Sequence, residues 1–200
     1  MMKAIRLLDC TFSLLGIIVL APFFVLVSVA IKTSSKGSIF FRQSRIGING
    51  IPFTLYKFRT MATGAQEKSL LTVGERDNRI TVIGFYLRKF KLDELPQLWN
   101  VLKGDMSVVG PRPEVKKYVD LYTPDQKIVL SIKPGITDLA SIVYRNENEL
   151  LANAQDPEDY YITEIMPGKI ELNKKFIRNQ HVKTYLHIIL RTIITAAKGR

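Results

Sequence analysis

Cys10-Thr11-Phe12-Ser13-Leu14-Leu15-Gly16-Ile17-Ile18-Val19-Leu20-Ala21-Pro22-Phe23-Phe24-Val25-Leu26-Val27-Ser28-Val29-Ala30-Ile31 runs for 22 residues without a charge. As a straight helix it would extend about 33 Å, close to the thickness of a bilayer's hydrocarbon core. A cleaved signal peptide is the poorer reading, because the apolar run is long for one. A plain spanning helix and a helix that enters and returns remain in competition. Pro22, mid-stretch, removes a backbone donor and favours a kink. Lys3 and Arg6 precede the stretch and Lys32 and Lys36 follow it, so positive charge sets no inside–outside bias. A re-entrant membrane helix over residues 1–37, bent at Ala21-Pro22, accommodates both features. Asp9 is expected at the interface, paired with a nearby Arg or Lys, because burying it unpaired is costly.

Working outward, the 200 residues suffice for one domain with a core, placed at residues 38–200. Lys and Arg number 29 against 18 Asp and Glu, and the net charge of +11 favours an anionic partner: nucleic acid, anionic lipid or a phosphorylated substrate. Cys10 is the single cysteine and His181 and His187 the two histidines, which excludes an intrachain disulfide and disfavours a cysteine zinc site or a histidine-based triad. Residues 39–61 read as a small β-hairpin turning at Asn49-Gly50. Residues 62–78 are polar and read as a loop or short helix. Leu95, Leu98, Trp99 and Leu102 are spaced as one buried face of a helix starting at Asp93 or Glu94 and stopping at Gly104. Residues 147–180 read as mixed helix. His181–Lys198 reads as an amphipathic helix, more readily core than membrane-interfacial. The fold class is therefore α+β and mainly helical, with amphipathic or interfacial helices.

Asp93 and Glu94 are adjacent carboxylates preceded by Arg88, Lys89 and Lys91. Alone, the pair reads more readily as a helix cap than as a reaction centre. A helix start is also a phosphate site, where two carboxylates can hold a divalent cation and one can act as nucleophile. Arg112, fixed between Pro111 and Pro113, carries a pre-aimed guanidinium suited to a bidentate phosphate contact. Lys57 and Arg59 alternate with aromatic residues, and Arg145 follows Lys133-Pro134-Gly135-Ile136-Thr137.

The run Leu92-Asp93-Glu94-Leu95-Pro96-Gln97-Leu98-Trp99-Asn100-Val101-Leu102-Lys103-Gly104-Asp105-Met106-Ser107, continued by Gly110-Pro111-Arg112-Pro113, resembles the signature of the bacterial sugar transferases, the monotopic phosphoglycosyl transferases. Phe41-Arg42-Gln43, Tyr56-Lys57-Phe58-Arg59-Thr60-Met61, Pro134-Gly135-Ile136-Thr137 and the proline-bearing apolar start are similar to the family as well. The resemblance implies a re-entrant helix and a catalytic domain on the cytoplasmic face of the bacterial inner membrane, with Mg2+ as cofactor. It implies attack by Asp93 on a UDP-sugar, release of UMP, and transfer of the sugar phosphate to undecaprenyl (polyprenyl) phosphate. Glu94 matches the metal-binding partner, and Arg88, Arg112 and Arg145 match phosphate-handling residues, with Lys57 and Arg59 in a motif of the same kind. A homodimer is left open. Two departures stand out: Ala21 replaces a serine common before the membrane proline, and after residue 146 an acidic insertion, Glu147–Asp159, leaves the commonest pattern, with Asn173 where relatives often carry an acid. A membrane-anchored adaptor without turnover would explain the charge and the anchor but not the carboxylate pair. Nucleic-acid binding is disfavoured by the apolar start and the lack of a dense basic run.

Overall fold

The computed structural model describes residues 2–64, 71 and 77–197, so most of the polar stretch 62–78, and Lys198, lie outside the described residues. Helix α1 (Met2–Ser34) continues unbroken through Pro22. Strands β1 (Phe40–Ile46) and β2 (Pro52–Phe58) form the antiparallel hairpin, joined by a turn in which Asn49 adopts φ 56°. Asparagine tolerates that left-handed conformation, which explains the turn signal. Helix α2 (Val82–Lys89) follows, its first turn capped by the Thr81 hydroxyl, which accepts from the Gly84 amide.

Leu92–Glu94 form a 3-10 turn entered through Lys91 at φ 57°, and helix α3 (Gln97–Lys103) starts only after Pro96. This corrects the expected helix start at Asp93 or Glu94. The acids precede the helix and do not cap it. The expected orientation of α3 is corrected too: Gln97, Asn100 and Val101 are buried, whereas Trp99 is 55% exposed. The reason is hydrogen bonding. Asn100 accepts from the Tyr56 amide at 3.1 Å and donates to the Thr54 carbonyl at 2.7 Å, so it continues the edge of β2 and belongs inside. The apolar residues are left to face α1, where Leu98 meets Gly16, or the surroundings.

Strand β3 (Ser107–Val109) pairs in parallel with β4 (Gly135–Thr137). Beyond the pair, Gly135 donates to the Pro111 carbonyl at 3.0 Å. A Cβ on Gly135 would lie 2.1 Å from the Gly110 nitrogen, so the two backbones touch only because neither carries a side chain. Helices α4 (Lys116–Val119), α5 (Leu139–Val143), α6 (Glu147–Ala152), α7 (Pro157–Tyr160), α8 (Met166–Arg178) and α9 (Val182–Ala197) complete the fold. A π-helical turn at Tyr161–Ile165 links α7 to α8.

The main core joins Ile46, Tyr118, Val129, Leu151, Tyr161 and Ile170. Two further clusters fasten α1 to the domain. At its start, Ile5 and Leu8 pack with Val109, Phe176, Tyr185 and Ile188. Towards its end, Val27 and Ile31 pack with Phe58 and Leu87. Polar ties reinforce both: Arg6 donates to the Val101 and Leu102 carbonyls at 2.6 and 2.9 Å, and Arg59 donates to the Ser35 carbonyl at 2.8 Å. Asp9 is 2% exposed and its Oδ1 accepts from Ser107 Oγ, the Val108 amide and the Tyr185 hydroxyl. The partners of Asp9 are thus neutral donors, not the Arg or Lys expected. The opposite face of α1 leaves Leu7, Leu15, Ile18, Val19, Val25 and Leu26 exposed. In length and composition α1 could cross a membrane. In α9, Tyr185 and Ile188 are core as expected, but Leu186, Leu190, Ile193 and Ile194 form an exposed apolar face.

Candidate active site

The 3-10 turn, β2 and the Pro111-Arg112-Pro113 segment converge on one open cavity of about 1300 Å³. Glu94, 7% exposed, takes a bidentate contact from Arg112: Nη1 donates to Oε2 at 3.0 Å and Nη2 donates to Oε1. Lys57 Nζ donates to the same Oε1 at 2.9 Å. Two half-buried cations on one buried carboxylate satisfy the condition under which such a charge is tolerated at all. Burial alone would raise the Glu94 carboxyl, but the charges of Arg112 and Lys57 and the Arg112 hydrogen bond hold it well below the usual range. Arg112 is raised in turn by the Glu94 charge. Burial lowers Lys57, against the pull of Glu94.

Asp93 differs from its neighbour. It is equally buried, and burial followed by the charge of Glu94 pushes its carboxyl up, with Lys57, Arg88 and Lys91 pulling the other way. One carboxylate is thus locked in an ion cluster and the other is held at higher basicity beside it. Two neighbouring carboxylates in such different environments are chemically distinct groups.

The position of Arg112 is built from behind. Its amide donates to Asp138 Oδ2 at 3.2 Å, and Asp138 is 1% exposed. Asn173 Nδ2 donates to that same oxygen at 2.9 Å, and the Ser141 amide donates to Oδ1 at 2.6 Å. This gives the amide at position 173 a reason: it supplies a proton to a buried carboxylate that an acid there could match only by sharing one. The sequence reading noticed Asn173 and missed Asp138, whose one signal was its N-cap position before α5.

Of the residues singled out in sequence, Asp93, Glu94, Lys57, Arg88, Arg112 and Arg145 all line the cavity. Arg59 also reaches its wall, but its hydrogen bonds go to the carbonyls of Ile31, Ser35 and Lys36, where it closes the end of α1. Pro22 does not line the cavity and is exposed on the α1 face described above. Among the described residues no group of three or more His, Cys, Asp or Glu gathers as a metal cage. Asp93 and Glu94 are the adjacent oxygen donors that a magnesium ion completed by substrate phosphates and water would use, although both Glu94 oxygens also carry Arg112 or Lys57.

A family model described as bacterial sugar transferase matches residues 2–199. The chain belongs to that family. The chain is 39% identical over 176 residues to the UDP-glucose:undecaprenyl-phosphate glucose-1-phosphate transferase of Klebsiella pneumoniae, covering 86% of this chain and 38% of that protein. It is 32% identical over 197 residues to the UDP-N-acetylgalactosamine-undecaprenyl-phosphate N-acetylgalactosaminephosphotransferase of Aeromonas hydrophila, covering 97% of this chain and 44% of that protein. The UDP-glucose:undecaprenyl-phosphate glucose-1-phosphate transferase of Caulobacter vibrioides is 35% identical over 192 residues, with 94% of this chain and 67% of that protein covered. The chain thus spans about four-tenths of the length of the first two relatives.

Proposed function

We propose that this protein transfers a sugar 1-phosphate from a UDP-sugar to undecaprenyl phosphate at the cytoplasmic face of the bacterial inner membrane. The observation that carries the reading is the buried Asp93–Glu94 pair in a cationic cavity, carried by a domain whose first helix presents an apolar face. An adaptor without turnover could use the Glu94–Arg112–Lys57 cluster as an internal tie, but it gives no account of a second buried acid whose carboxyl is pushed up beside that cluster. The names of the relatives agree on the acceptor and differ in the sugar.

In the first half-reaction an Asp93 oxygen attacks the β-phosphorus of the UDP-sugar. The bond from that phosphorus to the bridging oxygen breaks, UMP leaves with the electron pair, and a phosphosugar ester remains on Asp93. In the second, an oxygen of the lipid phosphate attacks the same phosphorus and the bond to Asp93 breaks, restoring the carboxylate. The transfer is a double displacement. Arg112, Lys57 and Arg88 surround the path with donors for the phosphate oxygens. A magnesium ion held through Glu94, with Asp93 beside it, would offset the charge of the diphosphate. Leu95, Leu98, Val108, Ile136, Ile142 and Ile189 line the same cavity and offer the polyprenyl chain an apolar wall.

Re-entrant seating of α1 is part of the proposal. Both its ends are fastened to one small domain, through Arg6 and Asp9 at one end and Ser35 at the other. A helix crossing a hydrocarbon core about 30 Å thick would carry those ends to opposite faces.

Incubation with UDP-sugars and magnesium, without lipid, should add one phosphosugar mass to the peptide holding Asp93. Asp93→Asn should carry no adduct and lose about 10³-fold or more of the UMP release. Normal turnover by that variant, or no adduct on wild type, would sink the covalent route.

A further inference from the structure

Past Arg112 the cavity continues along a second polar wall that the phosphate chemistry does not use. Lys169 Nζ lies 2.7 Å from Glu147 Oε2, with side-chain exposures of 13% and 24%. The same ammonium sits 5.2 Å from the centre of the Tyr161 ring. The Tyr161 hydroxyl donates to Glu114, and Arg45 lies 3.5 Å from the other oxygen of that carboxylate. Asn148 completes the wall. Tyr161 opens the π-helical turn, a distortion that recurs where a helix is adjusted to a functional site.

The chemistry of this wall differs from that around Asp93. Lys57, Arg88 and Arg112 suit phosphate oxygens, whereas Glu147 and Glu114 would repel them. A base would require an open aromatic face, but Tyr161 is 2% exposed and Lys169 covers it. What remains is a balanced acceptor–donor pair with an amide beside it, which matches a neutral ring bearing several hydroxyls. The ring of a nucleotide sugar hangs from the phosphorus that Asp93 attacks, so it must lie against the phosphate site, and this wall adjoins Arg112.

We propose that Glu147, Asn148 and Lys169 form the subsite that selects the sugar of the donor. Glu147 accepts from ring hydroxyls, Lys169 donates to them, and Asn148 reads a neighbouring substituent. This rests on the transferase reading above.

The test uses the full chain and UMP release from UDP-glucose, UDP-galactose, UDP-N-acetylglucosamine and UDP-N-acetylgalactosamine. Glu147→Gln and Lys169→Met should each lower the kcat/KM ratio between the best and second-best sugars by about tenfold, the size of one net hydrogen bond lost from the pair. Inhibition by UMP, which lacks the transferred sugar ring, should stay unchanged. An unaltered sugar ranking with weakened UMP inhibition would make the wall a nucleotide site and overturn the proposal. A uniform loss across all four sugars would reduce the pair to a structural bridge and overturn it equally. Should either variant fail to fold, Asn148→Ala is judged by the same ratio. Wild-type protein that releases UMP from no sugar nucleotide would overturn the transferase reading itself, whereas an active wild type with variants of unchanged ranking overturns the subsite alone.

Discussion

Asp93 and Glu94 share a turn, a degree of burial and a set of cations, yet they are driven in opposite directions. Glu94 takes the direct contacts of Arg112 and Lys57 and stays ionised; Asp93 feels burial first and the Glu94 charge second, and is raised. The sign has a kinetic consequence. An attacking carboxylate must be ionised, so kcat/KM for UMP release should fall as pH drops through the raised Asp93 value, with the midpoint above the ordinary aspartate value of about 3.9. A profile flat down to that ordinary value would contradict the assignment. The same shift acts on stability. A carboxyl raised by folding favours the native state below its unfolded pKa, and that advantage is lost as pH rises through the folded value. Asp93→Asn should therefore melt no lower than wild type at neutral pH. The adjacency of the acids was legible in sequence, but which of them the cations would grip was not. That choice depends on Lys57 and Arg112, which lie 37 and 18 positions from Glu94 and meet it only after folding.

At the scale of elements, the hairpin and the apolar helix could be read directly because local signals carry them: Asn49-Gly50 at the turn and an uncharged run for α1. Helix α3 could not. Its period was right and its buried side was wrong, because the period says which residues share a face, not which face turns inward. Asn100 decided that by bonding to the backbone of β2. The short β3–β4 pair was also invisible to periodicity, yet it aims Arg112. Gly135→Ala should force the Gly110 backbone away and cost on the order of 1–3 kcal/mol. For a chain of this size that lowers Tm by about 2 °C or more. UMP release should fall further than the folded fraction does, since Arg112 moves with Pro111. Thermal melts and activity on the same preparation compare the two losses.

For the whole molecule, the arrangement places apolar surface on the outer faces of α1 and α9 and the charged cavity behind them. The net charge of +11 indicated an anionic partner without locating it; the cavity gathers Lys57, Arg88, Arg112 and Arg145 in one place. If α1 enters and returns, cysteines introduced at positions 3 and 36 should both react with reagent supplied from the cytoplasmic side. Pro22→Ala should shift part of the population to a spanning form in which position 3 is protected. An unchanged pattern in that variant would show that the ties of Arg6, Asp9 and Arg59, rather than the proline, set the topology.

The contact between Asp9 and Tyr185 joins the first helix to the last across 176 positions of sequence. Translation at about 5–20 residues per second separates the emergence of the two by roughly 10 to 35 s. During that interval α1 can already meet lipid if it is seated as proposed, while the hydroxyl that completes the donor set around Asp9 has not yet been made. Membrane insertion therefore has time to precede closure of the domain. The α1–α9 contact through Asp9 must wait until Tyr185 has been made.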